Sequence, residues 1–259
     1  MNTMSNGEVR QKAEEIYQDA EFKELLDSAV FYGLKRTKTH PKMRPYILAT
    51  RIDFEIINLK KTLAKIKEAQ EFLINKLREG GDVLFVGTQP PARNIKQVAE
   101  ELGMPVVHNK WIGGLLTNFK VISQRIEFYK KLKADMQSGA LDKYTKKEKV
   151  KIQKQLNKLE ELFSGLENLK DLPKVVVIVD PEVHQTAVRE TQRMKIPTIA
   201  FINTNGNPDL ITIPVPGNTK ASVSVNWFLS KIKEAIENAR KIIKEESAQQ
   251  DVVKEESKV

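Results

Sequence analysis

The 259-residue chain contains no cysteine and only three histidines, and both shortages narrow the chemistry open to it. Without cysteine there can be no disulfide framework, thiolate zinc site, iron–sulfur cluster or cysteine nucleophile. His40 and His108 lie in separate segments, and no spacing pairs them as metal ligands. We therefore expect no metal, no cofactor and no redox chemistry.

Long apolar runs are also missing. The longest is Val175 to Val179, whereas a membrane-spanning helix needs about 20 consecutive apolar residues. The first 30 residues are acidic and lack an apolar core, which suits neither a secretory signal nor an organellar transit peptide. These features predict a soluble cytoplasmic protein with no membrane partner.

Positive charge is what the chain has in excess, with 43 Lys and Arg against 34 Asp and Glu, a formal charge of +9. Residues 31–51 hold six basic and no acidic side chains, and residues 120–158 hold twelve basic and four acidic ones. Two separate basic segments favour a polyanionic partner such as nucleic acid. For either segment alone, a lysine-rich face kept for solubility remains the alternative.

Short apolar runs alternate with helical patterns on both sides of the second basic segment. Val83 to Val86, Val175 to Val179 and Thr198 to Ile202 resemble strands buried on both faces of a parallel sheet. Asn58 is placed to cap a helix that Gly80 and Gly81 would end, and a second helix is predicted from about Glu182 to Met194. A further strand is predicted at Ile211 to Ile213 and a closing helix from Ser222 to Ile243. This alternation predicts a doubly wound α/β domain.

The second basic segment predicts a pair of helices inserted into that domain. Its apolar residues recur at intervals of three and four in two stretches, Phe119 to Tyr129 and Ile152 to Leu166. An antiparallel coiled-coil hairpin of about 20 residues a side would be about 30 Å long. We expect it to project beyond the sheet as a lever with a basic surface.

The carboxyl ends of parallel strands are where α/β proteins bind ligands, and here they carry little recognisable chemistry. Thr88-Gln89-Pro90-Pro91 contains neither a dinucleotide turn nor a Walker loop. Asp180 is predicted to cap the following helix, with Pro181 at its first position, in preference to forming a functional pair with His184. The paired glycines within Trp111 to Asn118 indicate either a contact with a partner's backbone or a packed corner.

Several segments together resemble one family, bacterial-type small-subunit ribosomal protein two. They cover about residues 25 to 240, and the most specific of them runs from Trp111 to Phe119. The others are Pro41 to Ile47, Leu84 to Thr88, Val179 to Pro181, Asn205 to Asp209 and Pro216 to Asn218. The resemblance implies a flavodoxin-like, Rossmann-like sheet with the inserted hairpin, no catalysis, and a structural role in the small ribosomal subunit. It also implies binding of ribosomal RNA and of neighbouring ribosomal proteins, including the large first protein of that subunit.

The chain departs from the family pattern in two places. Where the family commonly has two histidines, this chain has Ala29-Val30-Phe31-Tyr32-Gly33-Leu34, and the family's aspartate-threonine-asparagine loop appears as Asn203-Thr204-Asn205. Loss of these histidines and of this aspartate makes a metal site still less expected. It also puts a histidine-dependent RNA contact in doubt.

We expect folded RNA to be recognised by shape and phosphate charge, because lysine-rich helices lack aromatic platforms for stacking unpaired bases. Three groups of residues are the candidate RNA contacts. The first is the basic loop, with Lys35, Arg36, Lys38, Lys42 and Arg44. The second is the hairpin, with Lys146, Lys147, Lys149 and Lys151. The third is the root of the hairpin, with Lys110, Trp111, Asn118, Lys120 and Arg125.

Two other functions remain as alternatives. One is a nucleotide- or metabolite-dependent enzyme that uses Thr88, Asp180 and Asn205, and the other is a protein-interaction module that does not touch RNA. The predicted organisation is an acidic helical segment (1–30), the first part of the α/β domain with the basic loop (31–117), the inserted hairpin (118–170), the second part of the domain (171–244) and a disordered tail (245–259).

Overall fold

A computed structural model describes residues 20–138 and 145–256, so most of the acidic segment predicted at 1–30 lies outside the described residues. The helices are α1 (Ala20–Asp27), α2 (Leu59–Arg78), α3 (Ile95–Glu101), α4 (Phe119–Gln137), α5 (Lys146–Phe163), α6 (Gln185–Met194) and α7 (Ser222–Glu256). The strands are β1 (Tyr32–Lys35), β2 (Ile47–Arg51), β3 (Phe54–Ile57), β4 (Val83–Val86), β5 (Val106–Val107), β6 (Val175–Val179), β7 (Thr198–Ile202) and β8 (Ile213–Pro216). No described helix is both long enough and apolar enough to cross a bilayer.

Five strands form a parallel sheet in the order β5-β4-β6-β7-β8. Successive residues of each strand enter two separate buried clusters, one on each face of the sheet. Val175 and Val177 pack with α2, α3 and α7, whereas Val176 and Ile178 pack with α6 and with parts of α4 and α5. This confirms the predicted α/β class: a parallel sheet flanked by helices, consistent with a Rossmann-like fold.

Local signals set the ends of α2 as predicted. The side chain of Asn58 accepts a hydrogen bond from the amide of Lys60 at 3.1 Å, which satisfies one free donor of the first turn. Gly80 and Gly81 follow the helix with φ of 78° and 116°, a backbone region that side chains with a Cβ rarely enter. The chain can therefore turn directly from α2 into β4.

Three element boundaries differ from the sequence prediction. The amide of Ile211 closes a 3₁₀ turn on Pro208, so β8 begins at Ile213 instead of Ile211. Helix α6 begins at Gln185, after turns at residues 181–184, and not at Glu182. Helix α7 continues to Glu256, beyond Lys244, where we expected order to end; its residues after Lys244 are mostly good helix formers.

The segment from Phe31 to Arg51 is predicted as a loop, and that prediction is wrong. It supplies β1 and β2, which flank β3 in a three-stranded antiparallel sheet, and two 3₁₀ turns at Arg36–Lys38 and Pro41–Tyr46. A two-residue turn at Ile52 and Asp53 joins β2 to β3, with φ of 48° and 65°. Left-handed turns of this kind match the twist of a hairpin, which is why the chain pairs here.

Helices α4 and α5 lie between β5 and β6, where the insertion is predicted. Their buried side chains are near the sheet: Ile122, Ile126 and Tyr129 on α4, and Leu156 and Phe163 on α5. The rings of Tyr129 and Phe163 lie 6.5 Å apart between centroids. Among the described residues of 130–138 and 145–155, none is buried. Packing therefore holds the ends of these helices near the sheet, whereas farther out Leu132 and Met136 of α4 are only half-buried against the same cluster.

Candidate nucleic-acid interface

The first group of candidate contacts lies on the basic segment, residues 31–51. All five of its predicted RNA contacts are exposed: Lys35, Arg36, Lys38, Lys42 and Arg44. Pro41 begins the second 3₁₀ turn, and the Nδ1 atom of His40 accepts a hydrogen bond from the amide of Lys42 at 3.2 Å. The charges are thus carried by strand ends and short turns, which hold them more firmly than a free loop would.

Thr204, which closely follows β7, fastens this basic segment to the parallel sheet. Its hydroxyl accepts from the amide of Leu34 at 3.0 Å, and its carbonyl accepts from the amide of His40 at 2.8 Å. Lys42 forms an ion pair with Asp209, which lies after Thr204 in the segment between β7 and β8. Part of the charge of Lys42 is therefore balanced within the chain, which the sequence count did not reveal.

A polar cavity of about 420 Å³ opens between the two 3₁₀ turns and β2. Arg36 and Arg44 both line it, so the structure brings these two candidates together. Glu55 also lines it, is only 5% exposed, and accepts a hydrogen bond from the hydroxyl of Thr50 at 2.7 Å. This carboxylate lies just outside the segment counted as purely basic and lowers the positive potential inside the cavity.

The segment from Trp111 to Asn118 wraps around the carboxylate of Glu190, which projects from α6. Oε1 accepts from the indole Nε1 of Trp111 at 3.0 Å and from the amide of Gly114 at 2.8 Å. Oε2 accepts from the amides of Leu116 and Thr117 at 3.0 and 3.3 Å. The amides of this segment are therefore used within the chain, and the packed-corner alternative is the one the structure supports.

Glu190 is buried, and two opposing effects act on its pKa. Burial alone would raise the pKa of this carboxyl group, but the hydrogen bonds from the Trp111 indole and the surrounding amides outweigh burial and hold it below 4.5. Glu190 is thus ionised at neutral pH. Sequence reasoning missed it, because its partners lie more than 70 positions earlier in the chain.

The third group of candidates surrounds this corner. Lys110, Lys120 and Arg125 are exposed, and Trp111 is half-buried with its indole nitrogen on Glu190. Asn118 precedes α4, is exposed, and makes no side-chain bond to cap the helix. The basic side chains therefore project from a corner that Glu190 holds in place.

The second group lies in the first turns of α5. Thr145 and Glu148 form a reciprocal capping box, and the hydrogen bonds from Thr145 hold the pKa of Glu148 below its usual value. Lys146, Lys147 and Lys151 are exposed, and Lys149 is half-buried. Local hydrogen bonds stabilise the first turns of α5, which contain no buried side chain.

Asp180, which directly follows β6, does not have the role that the sequence predicts for it. It does not cap α6, because that helix begins at Gln185 and Asp180 adopts a left-handed backbone with φ of 60°. Its buried carboxylate instead accepts from the hydroxyl of Thr219 at 3.0 Å and from the ammonium of Lys220 at 2.7 Å. These bonds join the end of β6 to the segment after β8, so the carboxylate is used for structure.

His184 connects the ends of β4 and β6. Its Nδ1 lies 2.9 Å from the carbonyl oxygen of Asp180, and its Nε2 lies 3.2 Å from the amide nitrogen of Thr88. The carbonyl requires the proton on Nδ1, so Nε2 accepts from Thr88. Burial lowers the pKa of His184, which favours this neutral form.

Within residues 20–138 and 145–256, no three His, Asp or Glu side chains are grouped so that they could hold a metal ion. Thr88 and Asp180, two residues of the enzyme alternative, bond instead to their neighbours. The features that remain are exposed basic groups on a small antiparallel sheet, on a packed corner and on a helix pair. They define an α/β protein with exposed basic surfaces, the kind of surface that a polyanion would require.

Comparison with known proteins identifies the family. The family described as Ribosomal protein S2 matches residues 25–239. Three relatives named small ribosomal subunit protein uS2 match most of the chain. That of Dictyoglomus turgidum is 39% identical over 226 residues, covering 87% of this chain and 92% of the relative. That of Coprothermobacter proteolyticus is 38% identical over 84% of this chain and 82% of the relative. That of Thermus thermophilus is 38% identical over 90% and 91%. The chain belongs to the ribosomal protein S2 family.

Proposed function

We propose that this chain is a structural constituent of the small ribosomal subunit, where it binds ribosomal RNA and neighbouring ribosomal proteins in support of translation. Membership of the S2 family across residues 25–239 carries the proposal. The role is structural and requires no catalysis, and its place is the cytoplasm. Among the neighbours we include the large, RNA-binding first protein of the same subunit.

The proposed RNA contact is mainly electrostatic. The three basic groups present lysine and arginine side chains to solvent, and the phosphate backbone is the ligand that such side chains bind without needing a particular base. Each phosphate that they neutralise releases condensed counterions, so affinity falls as salt rises. Fixed scaffolds under the first and third groups would set the orientation of the chain on folded RNA.

We propose that α4 and α5 form an antiparallel coiled-coil hairpin that reaches RNA with its far end. The contact between the rings of Tyr129 on α4 and Phe163 on α5, near the sheet, supports this. The basic side chains Lys146, Lys147 and Lys151 lie on the part of α5 that has no buried residue. We propose the same division of the chain as before, with residues 118–170 interrupting an α/β domain built from 31–117 and 171–244.

The test is cosedimentation of the full chain with small ribosomal subunits that lack their own protein of this family, across a salt series. We expect stoichiometric comigration that weakens steeply with salt. Reversing Lys146, Lys147, Lys149 and Lys151 to Glu should weaken association and reduce its salt dependence while the unfolding transition stays unchanged.

The matched control reverses four exposed basic residues outside the three groups, namely Lys23, Lys60, Arg193 and Lys241. Both variants have the same net charge, so only the position of the change differs. If the two variants associate equally well, the hairpin is not part of the interface. If the unmodified chain stays at the top of the gradient at low salt, the ribosomal role itself is wrong.

A further inference from the structure

The small antiparallel sheet has an outer face that carries one of the candidate RNA contacts above, Lys35, beside side chains that those contacts do not include. In antiparallel pairs, residues directly opposite each other point to the same face. Tyr32 on β1 and Ala49 on β2 both lie opposite Ile56 on β3. Lys35 and Arg51 both lie opposite Phe54, two residues earlier on β3. These six side chains therefore share one face, whereas Glu55 and Ile57 point the other way and are buried.

Two aromatic rings on this outer face are open to solvent. Tyr32 is 50% exposed and Phe54 is 43% exposed, although burying rings of this size is among the largest apolar gains open to a protein. The half-buried Ile56 lies beside Tyr32 and two residues after Phe54 on β3, and the small Ala49 lies on the other side of Ile56, on β2. Exposed apolar surface of this kind marks a contact site.

Two cations lie on the same face, beside the ring of Phe54. The ammonium of Lys35 lies 5.9 Å from the centroid of the Phe54 ring, and Arg51 flanks the same ring from the other strand. The segment that supplies β1 and β2, residues 31–51, holds six basic and no acidic side chains. The complement to such a face is a chain that carries both flat apolar groups and negative charge.

We propose that this face binds two unpaired RNA bases, one stacked on Tyr32 and one on Phe54, with Lys35 and Arg51 contacting the adjacent phosphates. The proposal deepens the RNA-binding function above and rests on it. Every base has a flat face, so aromatic rings beside cations bind single strands with little dependence on sequence. Helix α5 has no exposed ring, since its Phe163 is buried, which is why its lysines suit folded RNA and this sheet suits an unpaired segment.

The spacing of the rings determines how the strand must lie. Tyr32 and Phe54 are diagonal neighbours across β1 and β3, which places their backbones roughly 7 Å apart. Stacked bases in a duplex are about 3.4 Å apart, so the separation of two adjacent stacked bases does not match the separation of these two positions. Each ring must therefore take its own base from a strand whose bases are separated from one another.

The experiment measures binding of a short single-stranded RNA of mixed sequence that carries 2-aminopurine, whose fluorescence is quenched on stacking, to the full chain. Phe54→Leu and Tyr32→Leu should each weaken binding about tenfold and reduce quenching, because each removes one stacked base. Leu48→Ala is the matched control: Leu48 is a 66% exposed apolar residue of the same small sheet without a ring, and its loss should leave binding unchanged. Thermal unfolding of each variant checks the fold.

Phe54→Tyr restores a ring and should recover the quenching lost in Phe54→Leu. A duplex of the same sequence should bind all variants alike, because its bases are not available to the rings. Equal affinity of single-stranded RNA for the unmodified chain, Phe54→Leu and Tyr32→Leu would overturn the proposal. So would a loss of subunit association in the ring variants with single-strand binding intact, since that result identifies the face as a protein contact.

Cosedimentation and single-strand binding together distinguish failure of the ribosomal role from failure of the stacking site. If the unmodified chain does not comigrate with small subunits but binds single-stranded RNA in a ring-dependent way, the ribosomal proposal fails and the stacking site stands. If it comigrates and the ring variants bind single strands as the unmodified chain does, the stacking site alone fails.

Discussion

Two regions of this molecule carry positive charge, and they are held in place by different means. The basic segment, residues 31–51, is joined to the parallel sheet by hydrogen bonds from Leu34 and His40 to Thr204. The helix pair α4 and α5 is held at its root by the carboxylate of Glu190 and by buried side chains. Its far end has no buried residue among those described.

We propose that this difference lets one basic composition serve two kinds of contact. A short sheet fastened through β1 and the turn after it presents its side chains in a constant arrangement, which suits stacking and precise phosphate contacts. A helix pair whose described far end has no buried residue can extend along an RNA surface and bind it mainly through charge. If this contrast is correct, each region can be weakened separately.

The largest effect is expected from Glu190→Gln. Each oxygen of the Glu190 carboxylate accepts hydrogen bonds, whereas glutamine has one accepting oxygen and an NH2 group that cannot accept. Donors of Trp111 or of the following segment therefore lose their partner. We expect a loss of about 3 kcal/mol in unfolding free energy, at the upper end for buried groups left unsatisfied. Urea unfolding followed by tryptophan fluorescence measures it, and amide exchange should rise at residues 114–117 while the basic segment keeps its protection.

The dependence of unfolding free energy on pH provides an independent check on the role of Glu190. Because the pKa of Glu190 is lowered in the folded state, its contribution to stability is present above 4.5, the value for the unfolded chain, and is lost as pH falls through the folded pKa. Glu190→Gln should remove this part of the acid dependence. Glu127→Gln, at an exposed position on α4, is the control and should leave it. An unchanged acid profile in Glu190→Gln would contradict the assignment.

Thr204→Val should weaken the attachment of the basic segment. The substitution keeps the volume but removes the hydroxyl that accepts from Leu34, so we expect a loss of about 1–2 kcal/mol in unfolding free energy. Hydrogen exchange at the Leu34 amide should increase, while the corner around Glu190 stays protected. Thr186→Val, at an exposed position on α6, is the matched control. Equal losses in the two variants would mean that the hydroxyl of Thr204 does not fasten the segment.

Ile52→Asn should stabilise the sheet. Ile52 has φ of 48° and is 86% exposed, so a β-branched residue occupies a left-handed turn position without burying its side chain. Asparagine tolerates this backbone region, and we expect a gain of about 1 kcal/mol. Thermal unfolding measures it. Leu48→Asn, within strand β2, should give no gain, and a loss of stability in Ile52→Asn would show that the turn is not strained.

The smallest effect is expected from Asp209→Asn. Lys42 and Asp209 are both more than half exposed, at 52% and 58%, so their ion pair is screened by solvent and contributes at most about 0.5 kcal/mol. Removing the carboxylate frees Lys42, so RNA affinity at low salt should rise slightly, and the gain should vanish at high salt. A salt series on RNA binding measures both. Weaker RNA binding in this variant would argue against a contact through Lys42.

Much of the parallel sheet was readable from local patterns. Val83 to Val86 and Val175 to Val179 form apolar runs, and such runs fit only strands covered on both faces. The Asn58 cap and the glycines at 80 and 81 set the ends of α2 through backbone chemistry that acts within a few residues. Predictions of this kind succeed because the residues that determine each element lie within it or directly beside it in the sequence.

The candidate site was predicted less completely, because its important contacts are distant in sequence. The sequence predicts exposed basic groups, and all of those side chains except the half-buried Lys149 are exposed. It predicts a loop at Phe31 to Arg51, because the strands there pair mostly with β3, which follows that segment. It assigns Asp180 to a helix cap, because it contains no sign that Lys220 and Thr219 would return to that carboxylate.

The sequence by itself determined the α/β class, the positions of the two basic segments, the family, and the lack of any chemistry that depends on cysteine. Periodicity, composition and short motifs depend on nearest neighbours along the chain, so they can be interpreted without coordinates. Only the tertiary structure decided that Glu190 holds the Trp111 corner and that Tyr32 and Phe54 share one exposed face with Lys35 and Arg51. These arrangements depend on strand register and on pairs far apart in the chain, which folding alone brings together.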